Sequence, residues 1–291
     1  MCKYDFEFHF RLKNPKSVTQ GRWNPKDYLS VYYLIYKILF WNYFMASYIL
    51  HTYDWTMKGL YGYYGLYFTN WMTTLNLISY TFNTSLVITR FIQERFSGHD
   101  SPTQRHFFEE NHISVMLSWA LSTTSNSMSL IVAIVYWTFL HEYNPNFSSL
   151  DTFVNYDYHL FIAMISILDV IVSGRPWRFA HVYLIVVLAF LNVFLQLIYI
   201  LGFDGKNYDY DEPDKELDYI YAVFDWKSTP GKAIGYFVAM VVCGLFIHGL
   251  CCILAYTRDK LWRQCYSIDK DVTPPRVRTP HPSIIPLKIF R

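Results

Sequence analysis

A hydroxyl becomes a working nucleophile when an adjacent base removes its proton, and Thr69 and His159 are of the right types for that chemistry. Neutral imidazole suits the role of base near pH 7. Thr69 lies about 9 Å into an apolar stretch that begins near residue 63, and His159 a similar distance into one that begins near residue 153. If both stretches begin on the same side of a membrane, the two residues share one leaflet at comparable depth. Asn70, Asn155, Asp157 and Tyr158 are close enough in sequence to orient the histidine or polarise a carbonyl. Both residues also have ordinary readings. Thr69 would bond back to the carbonyl four residues earlier, and His159 would anchor at an interface.

A second pair is electrostatic. Lys37 falls about 15 Å along the first apolar stretch, near a membrane midplane. Asp169 is the one carboxylate well inside a stretch of this kind. A snorkelling Lys37 reaches toward that depth, so the two are expected to form a buried ion pair; the alternatives are a lone snorkelling lysine and a proton or ion relay. A third group is the polar run Ser118, Ser122, Thr123, Thr124, Ser125, Asn126, Ser127 and Ser129. Ser118, Ser122 and Asn126 share a face at i, i+4 spacing, which suits close helix packing or the lining of a hydrated cavity.

Six apolar segments must position these residues, at roughly 28–50, 63–88, 113–140, 153–173, 181–202 and 233–256. Each is long enough to cross a hydrocarbon core of about 30 Å. Threading them puts the N-terminus, 89–112, 174–180 and the C-terminus on one side, with 6, 3, 2 and 8 basic residues. The opposite connections carry 1, 0 and 4. By the positive-inside rule both termini are cytoplasmic, in the plasma membrane or an endomembrane.

The chain is 53% hydrophobic and 16% charged, modest values for a membrane protein, because 26 Tyr, 23 Phe and 9 Trp make many spans amphiphilic. Its net charge of +2 gives no reason to expect nucleic acid as a partner. That small sum conceals a basic cytoplasmic face and an outer loop, 203–232, with eight acidic residues and four lysines. Cys2, Cys243, Cys251, Cys252 and Cys265 fall in spans or on the cytoplasmic side, so no extracellular disulfide framework is expected. No cleavable signal peptide is read in the first 27 residues, and no metal or cofactor is expected.

The organisation expected is a cytoplasmic segment 1–27, a six-helix transmembrane domain 28–256 and a basic, proline-rich disordered tail 257–291. Residues 4–13 alternate apolar and polar with strand periodicity, which reads as an extended or interfacial segment. Asn146-Phe147-Ser148 is a glycosylation sequon in a predicted outer loop, close enough to the third span for poor occupancy.

Several stretches resemble a known family. Gly21-Arg22-Trp23, Phe68-Thr69-Asn70-Trp71-Met72-Thr73, the run from Ile167 through Gly174-Arg175-Pro176-Trp177-Arg178 to His181, and Ile220 to Ala233 are similar to the rolling stone family of animal membrane proteins. That resemblance covers most of the chain and implies a cell-surface role associated with myoblast fusion, without stated chemistry. The same landmarks are more remotely similar to the androgen-induced transmembrane hydrolases, which cleave fatty acid esters of hydroxy fatty acids with an intramembrane threonine and histidine. Matching Tyr67-Phe68-Thr69-Asn70-Trp71, and the four-residue step from Asn155 to His159, implies Thr69 as nucleophile and His159 as base. Between Asn155 and His159 the hydrolases carry a second histidine and a glycine, where this chain has Tyr156, Asp157 and Tyr158.

The expected fold is therefore an all-α, six-span bundle. The expected role is contact with membrane lipids or membrane-protein partners. The rival reading is an intramembrane hydrolase with a lipid ester substrate. A transporter is a third reading, for which neither inverted repeats nor Gly/Pro-interrupted span pairs are visible.

Overall fold

The computed structural model describes residues 15–23, 28–96, 111–140, 149–208 and 216–271. The alternating segment 4–13, the sequon at Asn146 and the tail from residue 272 lie outside the described residues. Within them the chain is helical, with seven α-helices and a two-residue antiparallel hairpin. Helix α1 is Val31–Met57 and α2 is Phe68–Phe96. Helix α3, His112–Val135, ends in a π turn at Tyr136–Leu140. Helices α4, Ser149–Tyr156, and α5, Ile162–Val172, join through a π turn at Asp157–Phe161. Helix α6 is Val182–Leu197, with its own closing π turn at Ile198–Gly202. Helix α7 is Pro230–Asp271.

Three helical runs are long and apolar enough to cross a membrane: Ser149–Val172, Phe179–Gly202 and Pro230–Cys265. Helices α1, α2 and α3 match them in length but are more polar. Their polar groups point inward. Asn76, Ser79 and Asn83 of α2 bond across to Ser129, Ser122 and Ser118 of α3 at 2.9, 3.0 and 3.0 Å. Helix α3 can carry this run because it is central, packed against α2, α5, α6 and α7, whereas α1 lies mainly against α2. Small hydroxyls permit that closeness, and the cross-helix bonds satisfy groups that hydrocarbon would leave bare. All eight residues of the polar run are buried. An apolar cluster including Phe44, Met72, Met128, Ile162, Ile185 and Ile247 draws on every long helix.

The ends are tied by specific turns. Gly59 closes α1 at φ +70°, its N–H on Thr56 O and that of Leu60 on Trp55 O, the paired bonds of a Schellman cap. At the opposite end of the bundle, residues 15–23 fold over the α5–α6 turn, where Gly174 N–H donates to Gln20 O at 2.8 Å and Arg22 N–H to Val172 O at 2.8 Å. Arg258 of α7 clamps that turn through Val170 O, Ser173 O and Arg175 O at 2.6, 2.5 and 3.0 Å. Helix α7 continues beyond Tyr256, where the apolar pattern stops, as far as Asp271. Nothing between those residues breaks a helix, since both Gly and Pro are absent there.

Candidate functional site

Three buried constellations gather the residues with chemical potential. The first centres on Asp169. Lys37 Nζ lies 2.6 Å from its Oδ1, both side chains 1% exposed. Tyr36 donates its hydroxyl to Oδ1 at 3.1 Å, and Asn126 of α3 donates to Oδ2 at 3.0 Å. Arg175 completes the set with a charge-assisted bond to Oδ2. The ammonium also sits 5.2 to 5.3 Å from the ring centroids of Tyr33, Tyr36 and Tyr80. Aromatic faces and one carboxylate thus stand in for water around a buried cation.

The second constellation forms on the π turn. A regular helix advances about 100° per residue, which carries successive side chains away from any one face. The π turn instead buries Asp157, Tyr158 and His159 in sequence. Asp157 takes all its bonds from α1. It accepts from Tyr43, from Ser47 at 2.5 Å, and faces His51 Nε2 at 2.8 Å. The ring of His51 stacks on Tyr158 at 3.4 Å. The sequence offers Asp157 as a group that could orient His159; the structure turns it to α1 instead, because residues two apart in a helical turn point to opposite sides.

The third is an apolar cavity of about 280 Å³ among α2, α3, α6, α7 and the loop that precedes α7. Thr69, Ile131, Tyr136, Asn192, Tyr221 and Met240 are among the residues that line it. Its polar corner is small. The Tyr221 hydroxyl accepts from Phe68 N–H at 2.9 Å, and Tyr221 and Thr69 line the same cavity. Burial pushes the Tyr221 phenol up to about 12, so it remains protonated and available as a donor. Asn192 spends its amide on Leu66 O at 3.2 Å.

His159 is absent from the residues that line this cavity. Its imidazole lies flat on Tyr136, with centroids 3.5 Å apart and planes 5° apart, and Tyr136 does line the cavity. Trp137 Nε1–H donates to the His159 carbonyl at 2.9 Å, which fixes the backbone there. Asn70 is buried and donates to Tyr64 O at 3.0 Å, stapling the turn before α2 and leaving the cavity to its neighbours. Asn155 is half-buried one turn before the histidine.

A family model described as "Protein rolling stone" matches residues 4–273. The chain belongs to the rolling stone family. Protein rolling stone of Drosophila melanogaster is 23% identical to it over an alignment of 273 residues that covers 90% of each chain. No solved structure matches it.

Two buried polar features of this rolling stone family chain escape sequence reasoning. Arg175 belongs to the Gly174-Arg175-Pro176 turn and reads there as a topogenic charge, yet the turn folds it back onto Asp169. Tyr43, Ser47 and His51 are spaced four apart on α1, and that shared face was the available signal for a polar partner.

Proposed function

We propose that the chain is a six-span membrane protein with both termini on the cytoplasmic side. On this reading it acts in membrane fusion or a related surface process through contacts with lipids and other membrane proteins. One observation carries the reading: large apolar side chains cover the exterior while charged and amide side chains are buried beside the apolar cluster. Leu39, Ile49, Phe194, Val238, Phe246 and Ile253 are exposed, while Lys37, Asn76, Asn83, Asn126, Asp157 and Asp169 are buried. A hydrocarbon surround favours that arrangement on both counts. The split of basic residues, nineteen against five, supports the orientation. Tags at Met1 and Arg291 should be protected in intact cells and accessible after permeabilisation, and labels placed near Asp211 should react from outside. A terminus detected outside intact cells overturns the topology. For the role itself, removing the protein from one of two fusing cell populations should reduce mixing of their contents; unchanged mixing overturns it.

A second reading, hydrolysis of a lipid ester, has its own supporting observation in the Thr69 hydroxyl that borders an apolar cavity. Tyr136 is the contact between that cavity and His159, and the Tyr221 phenol is positioned to donate to a developing oxyanion. Purified protein should then turn over a nitrophenyl ester, with Thr69→Ala and His159→Ala each abolishing turnover in a folded protein. Undiminished turnover in Thr69→Ala excludes this chemistry.

A further inference from the structure

At the end of the bundle where α1 begins and α2 ends lies an open groove of about 630 Å³. Its walls are aromatic and basic, with Trp23, Tyr28, Tyr32, Tyr33, Tyr36 and Arg95 among them. We infer that this groove seats the headgroup of an anionic phospholipid from the adjacent leaflet. The site rests on the six-span reading above, whose own test is tag accessibility.

Four features point to an anion with an apolar tail. Arg95 is exposed and stacks on Phe91 at 5.2 Å. Its neighbour Glu94 is occupied by Arg90 and by Leu29 N–H, at 2.7 Å each, so no acidic partner competes for Arg95 among the described residues. Val31 and Tyr32 open α1 beneath the groove. Their amides precede the first intrahelical bonds, and Ser30 supplies no side-chain cap, which leaves the positive end of the helix dipole facing the groove. The floor adds charge from below. Tyr33 and Tyr36 line the groove and contact the Lys37 ammonium from the other side, where two basic groups, Lys37 and Arg175, share the single carboxylate of Asp169. The Tyr33 hydroxyl is buried without a hydrogen-bond partner in that wall.

The tail has a path as well. Below Tyr32 and Tyr36, α1 presents Ile35 and Leu39 at 48% and 62% exposure, and α2 presents Ile88 and Ile92 at 36% and 48%. At i, i+3 and i, i+4 spacing these continue the two groove walls toward the bilayer centre. A phosphate at Arg95 would therefore have its acyl chains along those ridges, which free phosphate cannot exploit.

The test uses full-length protein in nanodiscs with equal phosphatidylcholine and phosphatidylserine, extracted gently and analysed for retained lipid by native mass spectrometry. Wild type should retain phosphatidylserine with about fivefold preference, the factor expected of one basic group at a lipid surface. Arg95→Ala should bring the two lipids to parity and Arg95→Lys should keep most of the preference. Lys206→Ala, in the loop at the other end of the bundle, should match wild type. Tyr32→Ala, at a position 86% exposed and tolerant of substitution, should lower phosphatidylserine retention about twofold through lost aromatic contact. Parity in wild type, unchanged preference in Arg95→Ala, or displacement of the lipid by millimolar inorganic phosphate would each overturn the site. A correct topology with lipid parity would refute the groove alone.

Discussion

Asp169 holds two cations, and that inequality decides what each substitution does. Asp169→Asn strands Lys37 and Arg175 together in a dry interior, which costs about 3–5 kcal/mol by the usual penalty for breaking a buried pair. Lys37→Met removes one cation while Arg175 still satisfies the carboxylate, so it should be near neutral. Thermal unfolding in detergent should therefore rank wild type and Lys37→Met together, with Asp169→Asn well below. Equal losses for the two single variants would contradict the hub. Much of this was legible in advance, because a lysine and an aspartate inside apolar stretches must each find a partner. Arg175 and Asn126 were not, since one reads as a flanking charge and the other as helix glue. Asp157 shows the limit more sharply. Its partners are Tyr43, Ser47 and His51 of α1, and which helix face meets it follows from packing that its own local pattern does not announce.

At the scale of elements, the apolar segments gave helix positions to within a few residues at most ends, because a run of that length has few alternatives to a helix. The turns were less visible, since their geometry is set by what packs over them. Gly174 is such a case. A Cβ there would stand 2.9 Å from Gln20 O and 3.0 Å from Ser17 O, both backbone atoms. Gly174→Ala must push residues 15–23 off the α5–α6 turn, at a cost of about 1–3 kcal/mol. The expected readout is faster hydrogen exchange at Arg22 and Gly174 with exchange in α2 unchanged.

The loop before α7 behaves differently. Asp204 and Asp218 are held below the usual carboxylate value by bonds from Lys227 and Lys206, and those two lysines are correspondingly raised. The acids support the loop above their ordinary value of about 4 and lose that contribution as pH falls through their lowered values. The raised lysines support it below their ordinary value of about 10.4, and that part is lost as pH rises through their raised values. All four groups are solvated, so the effect should be local and salt-sensitive. Protease resistance around Lys206 and Lys227 should be flat from about pH 5 to pH 10 and should fall with added salt. Resistance that is indifferent to salt would mean that packing, with no help from these pairs, holds the loop.

For the whole molecule, a polar α2–α3 seam and an apolar exterior reverse the tolerance expected of a soluble bundle. Ser122 of α3 meets Ser79 at 3.0 Å in a seam with little room. Ser122→Leu is a gain in hydrophobicity that should nevertheless destabilise, by about 1–3 kcal/mol, because overpacking separates α2 from α3. Leu39→Ile, on the outer surface, should be silent. A stabilised Ser122→Leu variant would show that the seam is loosely packed. The central place of α3 was only half readable: its serines signalled close approach, but four neighbouring helices follow from topology, which a single sequence does not encode locally.

The partners in the Asp169 hub are also separated in time. Lys37 is made 132 residues before Asp169, and at ribosomal rates that interval is on the order of 10 s. Throughout it, the nascent first helix carries an ammonium with no acid to meet it. On the six-span reading proposed above, a lysine at the centre of the first span opposes insertion by roughly 2.5–3.5 kcal/mol. The first helix should thus enter the bilayer inefficiently when made alone, dwelling at the translocon until α5 emerges. In a glycosylation-mapping assay, truncation before residue 149 should leave the first helix partly uninserted, whereas extension through Gly174 or the substitution Lys37→Leu should complete insertion. Full insertion of the truncated wild type would mean that the waiting lysine is sheltered by snorkelling alone.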